Sequence, residues 1–214
     1  MGFLVCDDNS NFVLVKLDLY QVDAFANKIF EGNPAAVIPL DQWLSNEVMQ
    51  SIAQENNLSK TAFFCNSSNE FDIRWFTPNR EVKLCGHATL AAAFVIFNFY
   101  NNKSDKIAFK SLSGMLYVEK KGDLIKMNLP SQNPIACNMP ELLKDGLGST
   151  PEACYFNEDY VVVFKDEKDI VSIQPDFQKL KTLNSRGVII TAPSKKYDFV
   201  SRAFFPKYSI LEDP

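Results

Sequence analysis

One histidine, His87, stands in a chain of 214 residues, and five cysteines (Cys6, Cys65, Cys85, Cys137 and Cys154) show no C-x-x-C spacing. A histidine–cysteine metal site needs ligands grouped at short intervals, so metal chemistry has little to build on. An odd number of scattered cysteines fits reduced thiols in a cytoplasm and not a disulfide framework. Basic runs are also missing. Lys and Arg number 22 against 26 Asp and Glu, net −4 with a pI near 5.1, which argues against nucleic acid as a partner. No cationic segment leads into a long apolar run at the start, so no secretion signal is visible. The longest apolar stretch, residues 87–100, is roughly 20 Å long as a helix and too short to span a bilayer.

Enough is present to fill a core. Hydrophobic residues make up 46% and charged ones 22%, an ordinary globular balance. The chain is organised around residues 74–100, RWFTPNREVKLCGHATLAAAFVIFNFY. Aromatic and β-branched residues open the stretch as a strand, and Pro78-Asn79 turns it. The hinge Cys85-Gly86-His87-Ala88-Thr89 follows, and then a run apolar on nearly every face. A helix apolar all round must be buried on all sides. Residues 88–100 are therefore expected as a helix surrounded by strands, with Ala91, Ala92 and Ala93 admitting close approach and Phe94, Ile96 and Phe97 nearly inaccessible. Gly86 and His87 lie at its amino end, where backbone N–H groups favour an anion such as a carboxylate. The plainer alternative is a core helix preceded by a glycine turn.

Around this stretch, residues 3–6 and 12–17 suggest a hairpin across a polar turn. Residues 20–25, 35–38, 61–65 and 71–76 suggest strands. Residues 44–56 suggest a helix with Leu44, Val48, Met49, Ile52 and Ala53 on one face, ending at Asn56-Asn57. Residues 106–110, 115–120 and 124–129 suggest a meander turning at Lys121-Gly122-Asp123. Three prolines in 130–140 mark a boundary between a domain 1–130 and a domain 131–214. The second half shows strands at 160–164, 187–191 and 199–205 and short helices near 139–147 and 177–183, but no long apolar helix.

LCGHATLAAAF at 84–94, GNPAAV at 32–37, NLSKTAFF at 57–64 and, late in the chain, RGVIITAPSKKYDFVSRAFFP and LEDP resemble the PhzF-like family, which is related to phenazine-biosynthesis isomerases and more distantly to diaminopimelate epimerase. The resemblance covers residues 19–214, and its motifs in the same order make it specific. It implies an α+β fold of two pseudo-symmetric mixed β-barrels, each wrapped round a central helix. In this chain the second barrel is partial, because the sequence stops at Pro214 where its central helix would begin. An expectation follows that residues 131–214 expose apolar surface, and that a partner chain or a longer parent protein supplies the missing helix.

The resemblance also implies a cofactor-independent isomerase or epimerase acting on a small carboxylated metabolite, cytoplasmic and homodimeric, in a biosynthetic process. The family's motif carries a glutamate that shuttles a proton, and here Lys60 stands in its place. With an ordinary pKa of about 10.4, a lysine serves as a base near neutrality only if something keeps it deprotonated. The alternatives for Lys60 are a solvated surface residue and an anion holder in a catalytically impaired member that binds small anions or partners. His87 matches the histidine of the family's GHAT turn. Asp213 matches an aspartate implied to hold or polarise substrate. Gly86 and Thr89 are implied to offer backbone donors to a carboxylate, and Asn33 matches a substrate-side asparagine of the distant epimerases. Cys85 stands where those epimerases place a catalytic thiol, against the alternative of a small buried apolar residue.

Overall fold

The structure, a computed structural model, describes residues 2–6, 12–28, 30–67, 70–100 and 104–213, with side chains from residue 16 onward. Two compact units divide the chain, residues 1–130 and 131–214. At the start, β1 (Gly2–Cys6) and β2 (Phe12–Lys16) pair antiparallel as the expected hairpin, and residues 7–11 of its turn lie outside the described residues.

In the first unit β3 (Tyr20–Ala24), β4 (Asn33–Leu40), α1 (Asn46–Asn56), β5 (Lys60–Ser67), β6 (Glu70–Phe76), β7 (Glu81–Val82) and α2 (Gly86–Phe99) are followed by the meander β8 (Lys106–Ser111), β9 (Gly114–Lys121) and β10 (Leu124–Asn128). The strands lie in the order β10-β9-β8-β6-β5-β4-β3, with β7 on β6. Only β4–β5 and β6–β8 are parallel, and each crosses over through a helix, as parallel neighbours require. α1 begins at Ser45, whose Oγ accepts from the Val48 amide, and closes at Asn57 in the left-handed conformation.

Both faces of the central strands β4 and β5 are covered. Ala35, Val37, Ala62, Phe64, Ile73 and Trp75 pack with Ala88, Ala91, Ala92, Val95 and Ile96 of α2. Ile38, Leu40, Phe63, Cys65 and Phe76 point the other way, onto Met49, Ile52 and Ala53 of α1. Six residues in succession on β5, Lys60 to Cys65, are therefore buried. α2 departs from expectation in one respect. Ile96 is inaccessible, but Phe94 is 42% exposed and Phe97 is half-buried. Leu90, Phe94 and Phe97–Asn98 follow at helical spacing, so one stripe of α2 is left uncovered within this unit. The strand order explains it: β3 and β10 are the two edges and do not pair, so the sheet curls round the helix without closing.

The second unit runs β11 (Ile135–Ala136), α3 (Glu141–Leu147), β12 (Ala153–Phe156), β13 (Tyr160–Val163), α4 (Glu167–Ser172), α5 (Phe177–Lys181), β14 (Val188–Pro193), β15 (Phe199–Phe205) and β16 (Ile210–Asp213), with the strands in sequence order in the sheet. Leu143, Leu147, Ile170 and Leu180 from the three helices meet Cys154, Val162, Val188, Ile190 and Phe204 on one sheet face. Arg202 fastens that layer, donating to Ile170 O and Ile173 O at 2.9 and 2.8 Å while its other nitrogens reach both oxygens of Glu212. On the opposite face Val161, Val163, Ile189 and Ala203 are half-buried. Among the described residues of this unit no helix exceeds the seven residues of α3.

Candidate active site

Three chain segments of the first unit bring the site residues together: the start of β4 at Asn33, the start of β5 at Ser59-Lys60, and the amino end of α2 at Cys85-Gly86-His87. Gly32 makes the first possible. Its φ is +81°, and a Cβ there would lie 2.2 Å from Ala24 O, so only glycine admits this approach of the loop to β3. Pairing of Ala24 with Asn33 then fixes Asn33, 4% exposed, at the strand's first position. Parallel pairing of Ala35 with Lys60 sets β5 beside it.

Ser59 joins the segments. Its Oγ lies 3.1 Å from Asn33 Oδ1, 3.2 Å from Pro34 O and 3.3 Å from His87 Nε2. On the other side of the ring, His87 Nδ1 is 3.5 Å from Cys85 Sγ. A hydroxyl has one proton. With that proton directed to Pro34 O or Asn33 Oδ1, Ser59 Oγ accepts from Nε2–H, and Nδ1 is left to accept from the Cys85 thiol. The row Asn33–Ser59–His87–Cys85 thus holds the imidazole with Nε2 facing the Ser59 hydroxyl and Nδ1 facing the Cys85 sulfur. His87 and Cys85 are 8% and 7% exposed, so the pair is shielded from bulk water.

Lys60 is not a surface lysine. It is 7% exposed, and strand alternation puts it on the face of β5 shared with Ala62 and Phe64, which pack against α2. Among the described residues no carboxylate pairs with its ammonium. Cys85 is the residue preceding α2 and gives no side-chain cap. The amides of Gly86 and Ala88 belong to the first turn, where the helix itself supplies no acceptor. Thr89 differs from expectation: its amide and its hydroxyl both donate to Cys85 O, so it is committed to the helix and has no backbone donor for a ligand. Asp213 lies in the second unit, half-buried at the end of β16 opposite Ala203. Among the described residues no group of three or more His, Cys, Asp or Glu gathers as metal ligands, and no helix is long and apolar enough to cross a membrane.

The α+β fold, with a sheet curled round an apolar helix, is of an epimerase-like class. The chain belongs to the PhzC–PhzF family, phenazine biosynthesis-like proteins, which it matches over residues 22–214. It is 47% identical over 200 residues to a Pseudomonas aeruginosa protein named an uncharacterized isomerase, the match covering 94% of this chain and 77% of that one. A human phenazine biosynthesis-like domain-containing protein is 35% identical, with 94% and 79% covered. The crystal structure of an Enterococcus faecalis PhzF-family protein superimposes with a TM-score of 0.88 at 47% identity, over 92% of this chain and 76% of that one. A Pseudomonas aeruginosa predicted epimerase, at 17% identity and a TM-score of 0.65 over 92% of this chain and 76% of that one, shares the fold.

Proposed function

We propose that this protein is a cofactor-independent isomerase or epimerase that moves a proton within a small carboxylated metabolite. The observation that carries the proposal is Lys60, a residue only 7% exposed with no described carboxylate partner, on the sheet face that packs against α2. A fixed cation together with first-turn amides favours a carboxylate and stabilises the negative charge that develops when a neighbouring carbon loses its proton. Cys85 and His87 handle that proton. The thiol gives its proton to Nδ1, the thiolate takes one from substrate carbon, and a proton returns to another carbon or the other face, so none is gained or lost. Names of the isomerase relatives agree with this class of reaction. The role of Asp213 as a second substrate-side group rests on family resemblance, as do a homodimer and a cytoplasmic location.

Deuterium incorporation from heavy water into 2,3-unsaturated or α-substituted carboxylates tests the proposal. The natural chain incorporates label. Cys85→Ala keeps carboxylate binding but loses about 10²-fold or more in exchange, the scale of a lost general base. Lys60→Met weakens binding by about 10–100-fold, as a missing charge-assisted contact does. A natural chain that binds such carboxylates without exchanging any proton is a binding protein, and the isomerase proposal fails.

A further inference from the structure

A different pair of thiols, in the second unit, has chemistry of its own. Cys137 directly follows β11, and its amide donates to Cys154 O at 3.0 Å. That contact continues the register of Ile135 with Phe156 and Ala136 with Tyr155, so Cys137 and Cys154 face one another across two antiparallel strands. Directly opposed residues in such a ladder have Cα atoms about 4.5–5.5 Å apart, inside the roughly 4.4–6.8 Å that a disulfide spans. The sulfurs are 3.6 Å apart, and closing them to a bond of about 2.05 Å takes side-chain rotation and not backbone movement.

The two thiols differ in access. Cys137 is half-buried, while Cys154 is 7% exposed under the helices of this unit. Burial first, then the hydrogen bond and charge of Cys137, push the Cys154 thiol up to about 12. The order of events follows: Cys137 meets an incoming reagent, and Cys154 is the resolving thiol. Cys65 and Cys85 are each 7% exposed, within two separate cores of the first unit.

We propose that Cys137 and Cys154 are a reversible disulfide pair, oxidised by low-molecular-weight disulfides such as oxidised glutathione. Cys137 loses its proton and attacks one glutathione sulfur; the glutathione S–S bond breaks, and one glutathione leaves as thiol with that proton. The mixed disulfide on Cys137 is then attacked by Cys154, which expels the second glutathione as thiol and gives up its own proton to it. Two protein thiols are oxidised to one disulfide, and one oxidised glutathione is reduced to two glutathiones. The bond ties the end of β11, a two-residue strand with both residues exposed, to β12.

The full chain is incubated with oxidised glutathione and examined by intact mass and peptide mapping. The natural chain loses two hydrogen atoms, its peptides containing 137 and 154 become linked, and dithiothreitol reverses both changes. Cys154→Ser accumulates one glutathionyl group on Cys137, and Cys137→Ser leaves Cys154 unmodified. Hydrogen exchange of the natural chain needs no variant: amides of Ile135 and Cys137, the ladder donors of this segment, slow by about tenfold or more on oxidation, because local opening of β11 is suppressed. A natural chain that stays reduced, keeps glutathione on Cys137, links other cysteines, or shows unchanged exchange at β11 overturns the proposal.

Discussion

β5 in the first unit and β14 in the second are both apolar runs in parallel contact with a neighbouring strand, yet they are buried differently. Lys60 to Cys65 are buried without a break, because α2 covers one face and α1 the other. Along β14, Val188, Ile190 and Ala192 are buried while Ile189 and Thr191 are half-buried, because helices cover one face. Strands covered on both faces read as continuous apolar sequence, and those covered on one face normally alternate. Val161–Val163 and Val188–Ile190 have the composition of the first kind and the burial of the second. Apolar sequence on a strand therefore marks a face that is able to be covered, and the elements packed on it decide whether it is.

The largest expected effects test that contrast directly. Phe63→Ala and Phe64→Ala, on opposite faces of β5 at 0% and 2% exposure, should each cost about 3–5 kcal/mol in denaturant unfolding. Ile190→Ala should cost about 2–5 kcal/mol, and Ile189→Ala about 1 kcal/mol, since its side chain is half-buried. Equal losses at 189 and 190 would break the comparison. Next are two glycines of the site. Gly32→Ala meets both a positive φ and a backbone oxygen, and should cost about 2–3 kcal/mol. Gly86→Ala would meet only Leu129 Cδ1 at 3.6 Å, so stability should hold or rise by up to about 1 kcal/mol. Carboxylate binding measured by calorimetry should nonetheless fall in Gly86→Ala, because the added methyl occupies the space in front of the first turn of α2; unchanged affinity would remove Gly86 from the site.

The smallest effect concerns pH. Arg202 holds the Glu212 carboxyl below its ordinary value, chiefly through their hydrogen bonds. A carboxyl whose pKa is lower in the folded chain contributes stability above its unfolded pKa of about 4.3, and that contribution fades as pH falls through the folded value. Glu212 is well exposed, so no more than about 1 kcal/mol is at stake. Unfolding midpoints of the natural chain should fall more between pH 6 and pH 3 than those of Glu212→Gln, and equal slopes would show the pair is inert.

Much of the first unit was legible because its signals are local. The run after Thr89 is apolar on every face, which demands enclosure, and the meander announces its turn at Gly122, found at φ +59°. Which stripe of α2 stays uncovered was not legible: a helix apolar all round carries no marker for the side where β3 and β10 fail to meet. At the site, the GHAT and GNP strings pointed to Asn33, Cys85 and His87. Ser59 was passed over because a serine before a strand has many ordinary uses, and its importance appears only when β4, β5 and α2 converge. The facing of Cys137 and Cys154 was hidden for a related reason. They stand 17 positions apart with a helix between, and only the register of β11 on β12 brings them opposite one another.

The enclosure of α2 has a consequence for the time at which this chain is safe from aggregation. Strands β3 to β6 precede the helix in the chain and β8 to β10 follow it. When α2 has just been synthesised, the wall on one of its sides does not yet exist. About 30 residues must still be added, from Phe99 to Asn128, before the meander can swing over it. At about 5–20 residues per second that is roughly 1.5–6 seconds during which an apolar helix has half a shelter. Rapid translation of residues 100–128, or a chaperone that occupies the open side, shortens the interval in which nascent copies can find each other instead.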